Sequence, residues 1–290
     1  MDKQKVVVVG NGMVGHKYIE ALLASDQRDQ FEIVTFSEEP RVAYDRVHLT
    51  EFFSNSGADD LAMTTLDYYQ SNGVQVYLGE KVTGLDTEAK TVSTDKGTEL
   101  SYDKLVLATG SYPFVPPIPG NDRKNCFVYR TIEDLEAIAE AAKSSRIGTV
   151  VGGGLLGLEA AKAVLDLGLE AHVVEFAPRL MSVQVDEGGG ALLRKKIEEL
   201  GVGVHCSTAT NAIVDGKKHL HRMEFADGEQ LETDMIIFSA GIRPQDTLAR
   251  ESGLEIGERG GIVINNQCQT SDPDIYAIGE CALWNNRIFG

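Results

Sequence analysis

The sequence predicts an α/β fold of two Rossmann-like units. A strand, glycine turn, helix and strand open the chain, the same grammar restarts near residue 148, and each copy closes on an apolar strand running into a further glycine turn. The copies have comparable spans, 100 residues from Gly10 to Gly110 and 89 from Gly152 to Gly241. A length of 290 residues suits two domains, and 42% apolar with 24% charged residues is the balance of a chain with a folded core.

In the first copy, 5–9 is a continuous apolar strand, Gly10-Asn11-Gly12-Met13-Val14-Gly15 the turn, 16–24 a helix and 31–36 the next strand, ending in Ser37-Glu38-Glu39-Pro40. A strand that returns through a helix pairs in parallel with its predecessor. Residues 41–56 read as a polar-aromatic loop, 64–71 as a short helix, and 74–78, 81–86 and 91–94 as a small meander. A buried strand from Lys104 meets the turn Thr109-Gly110-Ser111, and Pro113, Pro116, Pro117 and Pro119 then mark a linker. After a helix over 132–143, the second copy runs through strand 148–151, the turn from Gly152 to Gly157, helix 158–167 and strand 171–176. A helix over 190–200 and strands at 203–207, 223–225 and 235–238 follow, the last ending at Ser239-Ala240-Gly241. Near the end, 274–278 is an apolar strand stopping at Gly279-Glu280.

The formal net charge of −17 repels phosphate backbones and anionic lipid, so neither nucleic acid nor a membrane is an expected partner. No apolar run reaches the roughly 18 residues of a membrane span; the stretch 149–165 carries Glu159 and Lys162. The charged start before the four valines lacks a small-x-small cleavage site, so a cytoplasmic location is expected. Cys126, Cys206, Cys268 and Cys281 lie 80, 62 and 13 residues apart, a spacing that writes neither a metal site nor a disulfide framework and suits free thiols.

Each glycine turn has a chemical reading beside the purely structural one. Gly10 permits the sharp turn, Gly12 lets backbone approach a pyrophosphate, and Gly15 lets helix and strand pack closely, with the phosphates at the helix N-terminus. An acid must then reach a ribose. Glu38, at the carboxyl end of the second strand, is the first choice and Glu39 the fallback, whereas Glu32 has nearer the usual spacing but sits at the wrong end of that strand. In the second copy Gly152, Gly154 and Gly157 are followed by Glu175, 23 residues after Gly152. A carboxylate there accepts hydrogen bonds from ribose hydroxyls and repels a 2′-phosphate, favouring NADH over NADPH, while Arg179 nearby pulls the other way. Glu159 reads equally as a solvated or paired helix acid and as a group aimed at a ligand cleft. His48, His205, His219 and His221 show no partner in the sequence and receive no role, and Trp284 reads as packing or interface.

The ordered set GNGMVG, SEEPRVAYDRVHL, ATGSYP, GGGLLGLE, VVEFAPRLM, SAGIRP and DIYAIGECA resembles the two-dinucleotide flavoprotein family of pyridine nucleotide-disulfide oxidoreductases, in its ferredoxin-reductase-like branch, over nearly the whole chain. Within it, YDRVHLTEFF, CFVYRTIEDLEAI, VVGGGLLGLEAAKAV, FSAGIRPQD and QTSDPDIYAIGECALWNNRIFG are similar to the N-terminal region of the large-subunit family of bacterial NAD(P)H-dependent assimilatory nitrite reductases.

The resemblance implies two three-layer ββα domains, the second inserted in the first: residues 1–118 and 241–290 would hold FAD, and 119–240 NAD(P)H. It assigns FAD contacts to Gly10, Gly12, Gly15, Glu38, Arg46, Val82, Ala108, Thr109, Gly110, Gly279 and Glu280. NADH falls to Gly152, Gly154, Leu156, Gly157, Glu175 and Gly241, with Glu159 as the catalytic candidate. Hydride would pass from NAD(P)H to FAD, and electrons onward to a sirohaem and a 4Fe-4S cluster in downstream redox domains, with a small subunit as a further partner, reducing nitrite to ammonia. A free-standing ferredoxin or rubredoxin reductase is the alternative, and a redox-inactive nucleotide sensor is the alternative of another class. Oligomeric state is left open.

Three departures from the family pattern bear on the chemistry. Residues 40–56 carry none of the redox cysteines placed there in disulfide reductases, so dithiol chemistry is not expected; Glu51 stands where many relatives have a lysine; and Gly279-Glu280 replaces the usual Gly-Asp. The end of the sequence, just past this last motif, reads as that of a fragment.

Overall fold

A computed structural model describes residues 3–53 and 57–288. Two compact units emerge. The first takes in the chain up to Arg46, Leu61–Tyr112 and the chain from Arg243; the second takes in Val47–Asp60 and Pro113–Ile242.

The first unit is a five-stranded parallel sheet in the order Ile275–Ala277, Lys104–Leu107, Gln4–Val9, Phe31–Ser37, Val74–Leu78. Val6 opposes Ile33 on one side and Lys104 on the other, which aligns the strand ends where the glycine turn begins. The four valines of the first strand serve both faces, as a central parallel strand requires. Val6 and Val8 pack with Ile19, Leu23 and Tyr69, on the side of helix Met13–Leu23. Val7 and Val9 pack with Val82, Val92 and Tyr102, on the side of a three-stranded antiparallel meander, Val82–Asp86, Thr91–Thr94 and Glu99–Ser101. Helix, parallel sheet and meander are the three layers.

The second unit repeats the plan with its own core. Its parallel sheet runs Val202–His205, Glu170–Val174, Ile147–Val151, Met235–Phe238, Cys126–Val128. A second meander, Thr210–Asp215, His221–Phe225 and Gln230–Thr233, covers one face through Ile213, Met223 and Phe225. Helix Leu155–Asp166 presents Ala160, Ala161, Ala163 and Val164 as buried residues, small side chains that let it lie close to the sheet. Helix Ile132–Ala142 starts on a capping box between Thr131 and Asp134.

Several elements differ from expectation for identifiable reasons. Val74–Leu78 belongs to the parallel sheet beside Phe31–Ser37 and not to the meander, because Val74 and Val76 pack on the helix side. Both helices after the glycine turns begin earlier than expected, at Met13 and Leu155, since the third glycine of each turn lies inside the first helical turn. The chain crosses between units at 112/113 and 242/243, where 118/119 and 240/241 were expected: Phe114 N–H donates to Gly241 O at 2.8 Å, which pairs both residues within the second unit. Segment 47–60, expected with the first unit, is held in the second by Tyr129, whose hydroxyl donates to Thr50 Oγ1 at 3.0 Å and whose ring stacks on Phe53.

Candidate functional site

In the first unit the turn leaves the strand at Gly10 with φ +111°, and a Cβ there would lie 2.3 Å from Ala108 O. Only glycine combines that conformation with that approach. Gly15 packs the helix against the turn, where a Cβ would come 2.0 Å from Gly10 O. Gly12 differs, since a Cβ there would meet nothing within 4 Å and, as helix N-cap, it offers no side chain to the first-turn N–H groups. The result is a helix N-terminus with donors facing open space, the geometry that receives an anion.

The acids beyond the second strand divide the work unexpectedly. Glu38 lies exposed and ion-pairs with Lys81 at 3.0 Å. Glu39 is the more enclosed: it accepts from Tyr44 Oη at 2.6 Å and from Arg46 Nη2, with the Arg46 guanidinium 4.6 Å above the Tyr44 ring. Glu32 pairs with Lys5 at the far end of the strand. Ala108 abuts the glycine turn, Thr109 Oγ1 donates to Gln245 O at 2.6 Å, and Gln245 N–H donates to Gly110 O at 2.9 Å. Gly279, with φ +76°, lies against Val14 in the first turn of the helix, and Glu280 accepts from Ser111 Oγ at 2.6 Å. Val82 is buried at the head of the meander.

The second unit reproduces the cradle. Gly152 has φ +121° and its Cβ would lie 2.2 Å from Ser239 O; at Gly157 a Cβ would come 2.0 Å from Gly152 O; Gly154 is an open, side-chain-free N-cap. A cavity of about 660 Å³ opens on it, lined by Gly152, Gly154, Glu175, Phe176, Val183 and Gly241 among others. Glu175 sits at its edge with both carboxylate oxygens in use, accepting from Gly153 N at 2.5 Å and Ala177 N at 2.6 Å. Each oxygen keeps a lone pair for a further donor. Phe176 and Val183, 81% and 91% exposed, are apolar walls that a planar ring would cover. Arg179 is turned away: Nε donates to Val185 O and Nη2 to Ser182 O, both at 3.1 Å, and Gly190 packs on its stem. It organises its own loop.

Leu156 is partly exposed in the first turn of helix Leu155–Asp166. Glu159, one turn further, is half-buried; burial pushes its carboxyl above the usual carboxylate range, and His48 opposes the shift. The remaining histidines have structural partners: His205 Nε2 faces His172 Nδ1 at 3.2 Å, His219 faces Asp234 at 3.0 Å, and His221 Nε2 donates to Lys124 O at 2.6 Å. The four cysteines are free thiols, and burial drives the Cys126 thiol up to about 11. Sequence reasoning missed Asn11, Tyr69, Ser111, Gly153 and Phe176. Of these, the glycine at 153 carried a readable signal, a glycine between the two that suffice for the turn.

A family profile of pyridine nucleotide-disulphide oxidoreductases matches residues 4–288. The chain belongs to that family. The nitrite reductase [NAD(P)H] large subunit of Klebsiella oxytoca is 57% identical over 290 residues, all of this chain and 30% of that one. The rubredoxin-NAD(+) reductase of Pseudomonas putida is 30% identical over 98% of this chain and 74% of its own length. Among solved structures, the water-forming NADH oxidase from Lactobacillus brevis bound to NADH superposes with a TM-score of 0.89 at 25% identity, over 97% of this chain and 63% of that one. The chain spans about a third, 27% to 37%, of the nitrite reductase and nitrate reductase relatives it matches. As a member of the family it is a pyridine-nucleotide-dependent oxidoreductase. Its two open, uncapped helix N-termini fit the two pyrophosphates. Among the described residues no helix is long and apolar enough to cross a membrane.

Proposed function

We propose that this chain is the electron-input module of an NADH-dependent nitrite reductase, with FAD on the first unit and NADH on the second, inserted one. The observation that carries the reading is the duplicated cradle, supported by 57% identity to a nitrite reductase large subunit. FAD, when bound, accepts a hydride and releases electrons singly, the conversion a sirohaem and 4Fe-4S centre requires. Those centres, a small subunit and nitrite reduction to ammonia would lie with downstream redox domains of the longer polypeptide, acting in the cytoplasm where NADH is supplied.

The chain's own residues bind and orient. Gly12 and the first-turn N–H groups take one pyrophosphate, with Gly10 and Gly15 fixing the turn; Glu39 and Arg46 flank its ribose side, and Glu38, paired outward with Lys81, is the second choice. Thr109, Gly110, Gly279 and Glu280 line the other end of that cradle. In the second unit Gly154, Leu156 and Gly157 seat a pyrophosphate, Gly241 and Ser239 border the cavity, and Glu175 accepts from a ribose. The fixed carboxylate would repel a 2′-phosphate, and Arg179, spent on loop carbonyls, offers it no counter-charge. Glu159 is the proposed catalytic group, a half-buried carboxyl on the first turns of helix Leu155–Asp166 that burial makes readier to hold a proton.

Steady-state reduction of ferricyanide by the FAD-loaded chain tests the donor preference: NADH is to be used at least tenfold better than NADPH, and equal use would overturn the role given to Glu175. A second reading, a reductase of rubredoxin-like proteins, is favoured by the 74% coverage of the Pseudomonas putida enzyme. Reduction of rubredoxin in preference to nitrite by the full-length polypeptide would select it.

A further inference from the structure

Behind the first glycine turn lies a buried polar cluster. Asn11, between the first two glycines, is 5% exposed, His16 3%, and Thr35 and Tyr69 0%. Ala43 N–H donates to Asn11 Oδ1 at 3.0 Å, which fixes the amide's orientation, because a backbone N–H requires an oxygen. Asn11 Nδ2 therefore donates, to Tyr69 Oη at 2.9 Å and more distantly to Thr35 Oγ1 at 3.5 Å. The Tyr69 hydroxyl has one proton to give, and His16 Nδ1, at 2.9 Å, is the acceptor we assign to it. His16 must then carry its own proton on Nε2.

We propose that Ala43, Asn11, Tyr69 and His16 form a one-way hydrogen-bond chain that positions the first glycine turn against the 41–46 loop, and that it holds only while His16 is neutral. The chain links the strand-to-helix turn, helix Leu66–Ser71 and the loop carrying Tyr44 and Arg46, so it sets the distance between the two ends of the cradle. A second proton on His16 would point an N–H at an oxygen already receiving Asn11, leaving the Tyr69 proton without an acceptor in a dry site. The groups facing His16 are Glu20 and Lys17 on its own helix, of opposite effect, and the edges of the Tyr68 and Tyr69 rings. Burial outweighs them and holds the imidazole below its ordinary value. Unfolded chain thus takes up the proton first as pH falls, so folding stability declines from about pH 6.5 downward, while in the folded chain the hydrogen bonds are lost only at the lower pH where the buried imidazole itself protonates.

This proposal rests on the first unit being the FAD site. Its test is the FAD affinity of the wild-type chain and of the Tyr69→Phe and His16→Asn variants, by flavin fluorescence between pH 8 and 5, with NADH affinity as the internal control. Tyr69→Phe is expected to weaken FAD about tenfold at pH 8, the loss of roughly one buried hydrogen bond, with NADH unaffected. Wild-type affinity is expected to hold through the ordinary imidazole range and to fall only towards the acid end of the series, because burial holds His16 below its ordinary value. In His16→Asn, whose Oδ1 replaces Nδ1 as acceptor at every pH, affinity stays level. Wild-type FAD affinity in Tyr69→Phe, or the wild-type acid loss persisting in His16→Asn, overturns the proposal; if Tyr69→Phe fails to fold, the His16→Asn profile decides alone. Failure of the wild-type chain to bind FAD at any pH overturns the flavin reading, and the proposal with it.

Discussion

Replacing Gly152 by alanine separates the two units by function. At φ +121° an L-residue is held in a sparsely populated region, at about 1–3 kcal/mol. The new Cβ would lie 2.2 Å from Ser239 O and 2.7 Å from Ser239 C, both backbone atoms at the end of a sheet strand, so a shift of about an ångström is forced. Overpacking of that kind adds about 1–3 kcal/mol. The two sum to about 2–6 kcal/mol against the 5–15 kcal/mol that holds a typical domain, and about 10 °C of Tm is the corresponding fall. Because Gly152 N–H also donates to Val174 O at 2.9 Å, the displacement reaches the strand that ends at Glu175. Thermal melting followed by circular dichroism, flavin retention after desalting and NADH titration form the assay: Gly152→Ala is to melt early, retain FAD and lose NADH binding, while Gly10→Ala does the converse. A Gly152→Ala chain with wild-type Tm and NADH affinity would refute the reasoning.

The other outcomes follow from the same geometry. Glu175→Gln turns one acceptor into a donor facing a backbone N–H and is expected to cost about 1–3 kcal/mol in NADH affinity, while narrowing the NADH over NADPH preference; an unchanged ratio in competition assays would count against the ribose role. Arg179→Ala is expected to lower Tm by loosening its loop yet leave the donor ratio unchanged, and a shift towards NADH would mean the guanidinium does reach the nucleotide. The Glu159 carboxyl is raised by burial, so its ionisation opposes folding as pH rises through that value. Glu159→Gln is accordingly expected to raise Tm at pH 7.5 but not at pH 4, which paired melts would show. Iodoacetamide at pH 7.5 is expected to leave NADH-driven flavin reduction intact, since the Cys126 thiol titrates only at about 11 and Cys281 is fully buried.

The central strands of both parallel sheets were legible because they are buried on two faces and therefore written as unbroken apolar runs, as at Val6 to Val9, whereas the edge strands Val74–Leu78 and Cys126–Val128 were misplaced or missed. The cradles were legible because a strained φ and a 2 Å approach admit glycine alone. The short strand Glu99–Ser101 and the pair Thr210–Asp215 and Gln230–Thr233 were not, since meander strands with one exposed face carry mixed side chains that read as loop. The choice between Glu38 and Glu39 turned on side-chain contacts, a distant one of Glu38 with Lys81 and a local one of Glu39 with Arg46, that no residue pattern announces. Asn11 received no role from the sequence, because its partners at Thr35, Ala43 and Tyr69 lie 24, 32 and 58 residues away. The placement of 47–60 likewise depended on Tyr129.

The central claim is that one chain carries a working pair of dinucleotide sites, and an anaerobic absorbance titration tests it most directly. The chain, incubated with FAD and desalted, is to retain a yellow flavin band that bleaches with stoichiometric NADH and far less readily with NADPH. Retained flavin that NADH binds beside but does not bleach would contradict the account and favour a nucleotide-binding module without electron transfer.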